Sequence, residues 1–309
     1  MWRYLAGVAF VVLGLWVAFS ATVQTRPAET IRLPSGRQAL MVGAQQAKFA
    51  VIFLHAATQS AVLARETSGM EEAAVRHGAL VVFGEGRKGW WAYRGWSLGD
   101  DGRDEQYVVD LVAMLGARGF APSQIFLAGM SNGGFLALEV ACDHPGLVGG
   151  VAVVASAMPE KIGENCSKLP PKFIMISGGQ DRMTPIDGMA SQAMLGRFWP
   201  MERLTNHALA AQGCATQKAS TRRRLLTARN SRIDLVEGKG CRSAALVRAY
   251  LIENGGHEMF RPTFLARQLP FDWLSFDAPD EIFGAFSPVS AAPVSHAPDV
   301  RPAPEAAGG

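Results

Sequence analysis

The feature that most constrains this sequence is a pentapeptide of the form G-x-S-x-G, in which Gly129, Ser131 and Gly133 hold the defining places. An apolar run at residues 125–128 precedes it, and a helix-like run at residues 135–140 follows it. In such a strand–turn–helix context the serine occupies a strained position that lifts its hydroxyl off the sheet. Glycines two residues to either side let strand and helix approach without a Cβ clash. The pattern predicts that Ser131 is a nucleophile.

Short apolar runs alternate with helix-like segments along the chain. The candidate strands are residues 39–42, 49–54, 79–83, 125–128, 150–155, 173–176 and 246–252, and the candidate helices are residues 70–75, 104–117, 135–140, 187–204 and 277–286. This alternation predicts an α/β fold with a mostly parallel sheet covered by helices on both faces. The polar, proline-bearing residues 22–37 should lead into an edge strand.

Composition restricts the possible partners. The 309 residues carry a net charge of +3, which is too small to indicate nucleic acid or an anionic membrane surface. Residues 222–224 form the one dense basic run, which we interpret as a solvated loop or helix face. From residue 287 onward the sequence is rich in proline and alanine without periodicity, which predicts a disordered tail over residues 287–309.

Residues 1–21 have the pattern of a targeting segment. A positive start is followed by an apolar stretch over residues 5–19 and by small residues that suit cleavage before Ala21. A signal peptide is the preferred prediction, and an uncleaved N-terminal anchor is the alternative. Either one predicts a periplasmic or secreted protein whose folded domain spans residues 22–286.

Export makes disulfides the expected state of the four cysteines, Cys142, Cys166, Cys214 and Cys241. Pairing between nearest neighbours is the most economical of the three possible connectivities. Wide spacings and the absence of a C-x-x-C motif argue against zinc.

A serine nucleophile needs a histidine base and an acid that orients it, in the chain order serine, acid, histidine. His257 follows a strand and a Gly-Gly loop, whereas His144, His207 and His296 lie in less suitable places. Asp181 follows a buried strand and a glycine turn, and Asp187 is the competitor. Because Asp187 precedes a candidate helix, where a capping carboxylate is expected, Asp181 is preferred.

The transition state also needs an oxyanion hole. The backbone N–H of Asn132, directly after the nucleophile, is the first expected donor, and the loop carrying Ala56 and Ala57 is expected to supply the second. His55 should brace that loop. The aromatic-rich loop over residues 84–102 either packs over the sheet or lines the cleft, which makes Trp90 and Trp91 candidate substrate-binding residues.

These motifs resemble those of secreted esterases of the polyhydroxybutyrate depolymerase type, relatives of feruloyl and acetylxylan esterases among the α/β-hydrolases. The resemblance covers roughly residues 33–286. Gly129-Met130-Ser131-Asn132-Gly133-Gly134 is similar to the family's elbow, residues 54–60 to its oxyanion segment, residues 176–188 to its aspartate loop and residues 255–257 to its histidine loop. Cys214 and Cys241 are similar to a cysteine pair that the family bridges, and residues 276–286 to its closing helix.

The sequence departs from the family at three places. Ala56 replaces a usual glycine, Ser177 a usual histidine, and residues 258–261 a segment whose usual tryptophan belongs to the substrate region. Met259 is therefore a further candidate substrate-binding residue.

The resulting prediction is an exported serine esterase that needs no metal or cofactor. Its substrates would be small or oligomeric esters, either hydroxyalkanoate oligomers or feruloyl and acetyl esters. A serine peptidase of the same superfamily and a non-catalytic binding protein on a degenerate hydrolase fold are the alternatives. Contact with a membrane is expected only if the N-terminal segment stays uncleaved.

Overall fold

The structure is a computed structural model that describes residues 25–96, 104–189, 196–223, 231–261 and 276–288. Its strands, in chain order, are β1 (Thr25–Arg32), β2 (Gln38–Ala44), β3 (Ala50–Leu54), β4 (Leu80–Gly84), β5 (Ile125–Met130), β6 (Gly150–Val154), β7 (Lys172–Gly178), β8 (Ala215–Arg223), β9 (Ser231–Lys239) and β10 (Leu246–Ile252). Its helices are α1 (Ala61–Ser68), α2 (Met70–Arg76), α3 (Glu105–Ala117), α4 (Asn132–Asp143), α5 (Glu160–Gly163), α6 (Met201–Gln212) and α7 (Ala278–Phe286).

The ten strands form one sheet in the order β1-β2-β4-β3-β5-β6-β7-β10-β9-β8. The central strands from β4 to β10 pair in parallel, and the outer strands at both sides pair antiparallel. All residues of β3 and β6 are buried, as expected for strands covered on both faces. Because the parallel strands point the same way, their carboxyl ends meet at one edge of the sheet, where such folds place ligands.

Helices cover both faces of the sheet, as the alternation of elements predicts. One apolar core holds buried residues of α3, α4 and α6, and the other holds buried residues of α1, α2 and α7. Side chains cap the N-termini of two of these helices. At α1 the Ser60 hydroxyl accepts from the N–H of Leu63, and at α7 the Asp277 carboxylate accepts from the N–H of Asp280.

The structure differs from the predicted elements at two places. The helix predicted over residues 187–204 is wrong in its described parts: residues 187–189 and 196–200 are not helical, Gly188 has a left-handed backbone, and α6 begins only after Pro200. Residues 190–195 of that prediction lie outside the described residues. The antiparallel pair β8–β9 was not predicted, and Arg222 and Arg223 lie on β8 rather than on a loop or helix. The predicted leader and tail lie outside the described residues, apart from residues 287 and 288.

Two disulfides join the cysteines in nearest-neighbour pairs, Cys142 with Cys166 and Cys214 with Cys241. The first ties the end of α4 to the segment that leads into β7. The second ties Cys214, directly before β8, to Cys241, two residues after the end of β9. Such bridges fit a protein of an oxidising, extracellular compartment. None of the helices in the described residues is apolar over a stretch long enough to cross a membrane.

Candidate active site

Ser131 lies at the turn between β5 and α4, at the carboxyl edge of the sheet. Its backbone has φ 51° and ψ −119°, a conformation that side-chain-bearing residues rarely adopt. Neighbouring groups hold it there: its N–H donates to Val154 O at 3.0 Å, and its carbonyl accepts from the Ser156 hydroxyl at 3.0 Å. Strain maintained by its surroundings is typical of functional positions. The backbone geometry is that of a nucleophile elbow.

The two glycines of the pentapeptide, Gly129 and Gly133, are required because other backbone segments pass too close to leave room for a Cβ. A Cβ on Gly129 would clash with the carbonyl of Gly133, and one on Gly133 would clash with the carbonyls of Leu54 and His55. Leu54 ends β3, which pairs with β5 directly beside the elbow. Substitution of either glycine would therefore push the helix away from the strand and from the loop after β3.

Asp181 and His257 are in direct contact. Asp181 follows β7, His257 follows β10, and His257 Nδ1 lies 2.8 Å from Asp181 Oδ2. The two loops meet because Gly178 lets the carbonyls of Gly255 and Gly256 pass at a distance that a Cβ would obstruct. The histidine loop thus crosses the end of β7, toward the side of the sheet on which β5 lies.

The protonation states in this pair follow from its donors and acceptors. Burial alone would raise the pKa of Asp181, but hydrogen bonds from His257 and Thr184 outweigh it and lower the pKa to about 2. The carboxylate is therefore ionised and can only accept, which places the proton of a neutral His257 on Nδ1. The other nitrogen, Nε2, is left as an acceptor, which is the form that a general base needs.

Ser131 lies at the same edge of the sheet as this pair, but in the described residues its hydroxyl makes no hydrogen bond with His257. Nucleophile–base hydrogen bonds are often long in the absence of substrate and tighten when it binds. Asp187, the competing acid, is exposed, and its bond within the described part of the chain is a turn hydrogen bond from the N–H of Met189 at 2.9 Å. The geometry around His257 thus favours Asp181.

The candidate oxyanion donors come from neighbouring segments. Asn132 is the first residue of α4, where N–H groups have no partner within the helix. Ala56 and Ala57 follow the end of β3, next to the elbow. His55 fixes this loop: its Nε2 accepts from the N–H of Gly86 at 3.0 Å, so Nδ1 carries the proton and donates to Ala56 O at 2.8 Å. Burial lowers the pKa of His55, in keeping with this neutral form.

The three candidate substrate-binding residues lie in different environments. Trp91 is fully buried, so its ring packs within the core, where it has no surface for a substrate. Trp90 is half-buried and contacts Trp96, with ring centroids 5.1 Å apart. Met259 is 8% exposed, in the loop after His257. Trp90 and Met259 remain candidates, and the prediction for Trp91 is wrong.

Two hydroxyl residues that were not among the predicted site residues, Thr184 and Ser156, support the site. Thr184 donates to Asp181 from both its hydroxyl, at 2.7 Å, and its N–H, at 3.0 Å. Ser156 follows Ala155, which has φ 43°, and supports the elbow carbonyl. Aspartate side chains commonly accept from backbone N–H groups that follow them in a turn, and this tendency of Asp181 was the available signal for Thr184.

Among the residues that the structure describes, one group of acidic side chains lies close enough together to hold a metal ion. Ligand oxygens of Glu105, Glu139 and Asp143 lie within 4.8 Å of one another. Other groups of the protein already contact them. The Arg94 guanidinium pairs with Asp143 and lies 3.8 Å from Glu139, which also accepts from the backbone N–H of Arg94 at 3.0 Å, and His144 Nε2 lies 2.7 Å from Glu105. The Arg94 guanidinium supplies positive charge to this cluster, and we assign no metal here.

No protein-family model matches the sequence. NocK of Nocardia uniformis subsp. tsuyamanensis, described as a candidate esterase, is 28% identical over 207 residues, which are 62% of this chain and 55% of NocK. The chain thus spans about half the length of that relative. Among solved structures, an acetyl xylan esterase from Aspergillus awamori has 12% identity and a TM-score of 0.49, over 75% of this chain and 94% of its own. TT1662 from Thermus thermophilus has 15% identity and a TM-score of 0.45, over 76% of this chain and 92% of its own.

The fold is assigned from the architecture itself. A mostly parallel sheet with helices on both faces carries a strained serine between β5 and α4, and an aspartate and a histidine follow later strands in that chain order. The chain therefore has the α/β-hydrolase fold, and it is similar in sequence to a protein described as a candidate esterase.

Proposed function

We propose that this protein is a serine hydrolase of carboxylic esters. The observation that carries the proposal is the Asp181–His257 hydrogen bond, made at the same sheet edge as the strained Ser131. A buried carboxylate that fixes a neutral imidazole with Nε2 free is the arrangement that activates a serine hydroxyl. The similarity to NocK supports the same chemistry.

The mechanism follows from these groups. Ser131 Oγ attacks the ester carbonyl carbon while its proton passes to His257 Nε2, and Asp181 stabilises the imidazolium that forms. The N–H groups of Asn132 and of Ala56 or Ala57 bind the negative oxygen of the tetrahedral intermediate. The alcohol leaves with the proton from Nε2. Water, deprotonated by His257, then attacks the acyl-enzyme and releases the acid and free Ser131.

For the substrate, we propose hydroxyalkanoate oligomers or feruloyl and acetyl esters, the classes that the sequence resemblance implies. The two disulfides support an exported protein, with residues 1–21 as a signal peptide or anchor and residues 22–286 as the catalytic domain. The partner of such an enzyme is its ester, with no nucleic acid. No observation favours the peptidase or the binding protein over this proposal.

The test is hydrolysis of an ester panel by the purified protein and by Ser131→Ala. The panel contains p-nitrophenyl acetate and butyrate, methyl ferulate, and 3-hydroxybutyrate oligomers. We expect kcat to fall by a factor on the order of 10⁶ in the variant. Ser123→Ala is the matched control, because Ser123 is exposed and lies before β5, at the opposite edge of the sheet. Equal inertness of wild type and Ser131→Ala on every ester would overturn the proposal.

A further inference from the structure

Trp91 lies in the core between the two parts of the candidate oxyanion hole. Its ring is stacked near Tyr107, with centroids 5.9 Å apart, and lies beside the imidazole of His55 at 4.8 Å. The side chain is 0% exposed. A ring in this position cannot touch a substrate, yet all three of its hydrogen-bonding groups, the backbone N–H, the carbonyl and the indole N–H, are directed at residues of the site.

The backbone of Trp91 is bonded to the elbow. Its N–H donates to Asn132 Oδ1 at 2.8 Å, and its carbonyl accepts from Asn132 Nδ2 at 3.0 Å. The paired bonds fix the orientation of the Asn132 side chain and therefore the position of its backbone. Asn132 directly follows Ser131 and carries the first candidate oxyanion N–H.

The indole of Trp91 is bonded to the loop after β3. Its Nε1–H donates to the carbonyl of His55 at 2.9 Å, one residue before Ala56. The imidazole of His55 in turn donates to Ala56 O and accepts from the N–H of Gly86. The backbone that presents Ala56 and Ala57 is thus held by Trp91 on one side and by Gly86 on the other.

We propose that Trp91 is a positioning residue that sets the spacing between the two halves of the oxyanion hole. This inference rests on the proposed function. The two halves belong to separate segments, one after β3 and one after β5, and a single buried residue is bonded to both. Stabilisation of an oxyanion requires donors at about 2.7–3.1 Å from the developing charge, so a small change in this spacing weakens both bonds. A buried network whose members are all bonded is well suited to hold such a distance.

The test compares Trp91→Phe with Trp199→Phe in the full protein. Each change keeps a buried aromatic ring and removes an indole N–H. Trp199 is also buried, at 6% exposed, but among the described residues its Nε1 has no partner. The Trp199 variant therefore measures the effect of replacing a buried indole, including its contact with Arg203, without breaking an indole hydrogen bond.

We expect Trp91→Phe to lower kcat at least tenfold with KM within threefold, because the lost interaction matters in the transition state only. The inhibition constant of a trifluoromethyl ketone analogue of the ester, which forms a tetrahedral adduct on Ser131, should rise by a similar factor. Trp199→Phe should leave both values within twofold. Equal kinetics of the two folded variants, or a loss confined to KM, would overturn the inference.

Asn132→Ala breaks the other end of the same connection while keeping the backbone N–H. We again expect kcat to fall while KM is retained. If Trp91→Phe does not fold, the result for Asn132→Ala tests the positioning role. In the double variant the losses should not multiply, because either change alone releases the two halves. Losses that multiply would contradict a shared connection. Wild-type protein that hydrolyses no ester would refute the proposed function itself, whereas active wild type with normal Trp91→Phe and Asn132→Ala would refute only the positioning role.

Discussion

At the scale of single residues, the carboxylate of Asp181 is notable for the number of its donors. Oδ2 accepts from His257 Nδ1 and from the Thr184 hydroxyl, and Oδ1 accepts from the N–H groups of Met183 and Thr184. These bonds keep the pKa at about 2 in spite of burial. They also hold the carboxylate in a single orientation, and the carboxylate in turn orients the imidazole of His257.

The Thr184 hydroxyl shares Oδ2 with His257, so its loss should disturb the pair directly. Thr184→Val keeps the shape and removes the donor, and we expect kcat/KM to fall about tenfold, the equivalent of about 1.4 kcal/mol. Thr184→Ser keeps a hydroxyl and should retain most of the activity. Steady-state kinetics of the two folded variants make the comparison. Equal activities would show that the hydroxyl has no part in orienting Asp181.

Single residues also show how far a sequence can specify a site. Ser131 could be predicted because its geometry is imposed by glycines two residues away. The choice between Asp181 and Asp187 depends on which carboxylate meets His257, a contact 76 residues apart in the chain. The role of Trp91 was missed because its bonds to His55 and Asn132 join segments 36 and 41 residues away. Such contacts leave no local pattern.

At the scale of elements, the closing helix α7 is attached to α2 by an ionic cluster. Asp280 accepts from Arg76 Nε and contacts His77 Nε2, both at 3.0 Å, and Arg76 also pairs with Asp277. The hydrogen bond with His77 is the largest influence on Asp280 and, together with Arg76, lowers the pKa of Asp280 to about 2 in spite of burial. Half of this carboxylate is exposed, so water reduces the contribution to stability.

A depressed carboxylate pKa stabilises the folded state at pH values above the unfolded pKa, which is about 3.9, and this contribution is lost as the pH falls toward 2. Asp280→Asn should therefore destabilise the protein near neutral pH, by less than about 1 kcal/mol. The difference from wild type should shrink between pH 4 and pH 2. Thermal unfolding of both proteins across this range provides the measurement. A difference that grows toward acid pH would have the wrong sign for this mechanism.

The elements that were predicted correctly are those with a uniform environment. β3 and β6 are apolar throughout because both their faces are covered. β8 has no such signal: its residues 215–219 are all exposed and mostly polar, so only backbone pairing with β9 identifies it as a strand. Pairing between segments of mixed polarity is decided by tertiary context rather than by local composition.

At the scale of the whole molecule, the disulfides and the candidate site occupy opposite edges of the sheet. α4 begins directly after Ser131 on the carboxyl edge and ends at Asp143, next to Cys142, on the other. Cys166 precedes β7, and Cys241 follows β9 near the start of β10, whereas His257 lies beyond the end of β10. The bridges therefore constrain the scaffold without touching the groups that we propose for catalysis.

This separation predicts that stability and activity can be changed independently. The bridges join residues 24 and 27 apart, so each should stabilise the fold by about 3 kcal/mol through the unfolded chain. Replacing both Cys214 and Cys241 by alanine should lower the free energy of unfolding by about that amount, measured by urea denaturation, and leave kcat/KM at 25 °C within twofold. The same change at Cys142 and Cys166 should cost more, because both residues are buried and alanine leaves unfilled volume there. A variant that lost activity while keeping its stability would contradict this independence. It would show that removal of a bridge shifts α4 along its length and so displaces the elbow at Ser131.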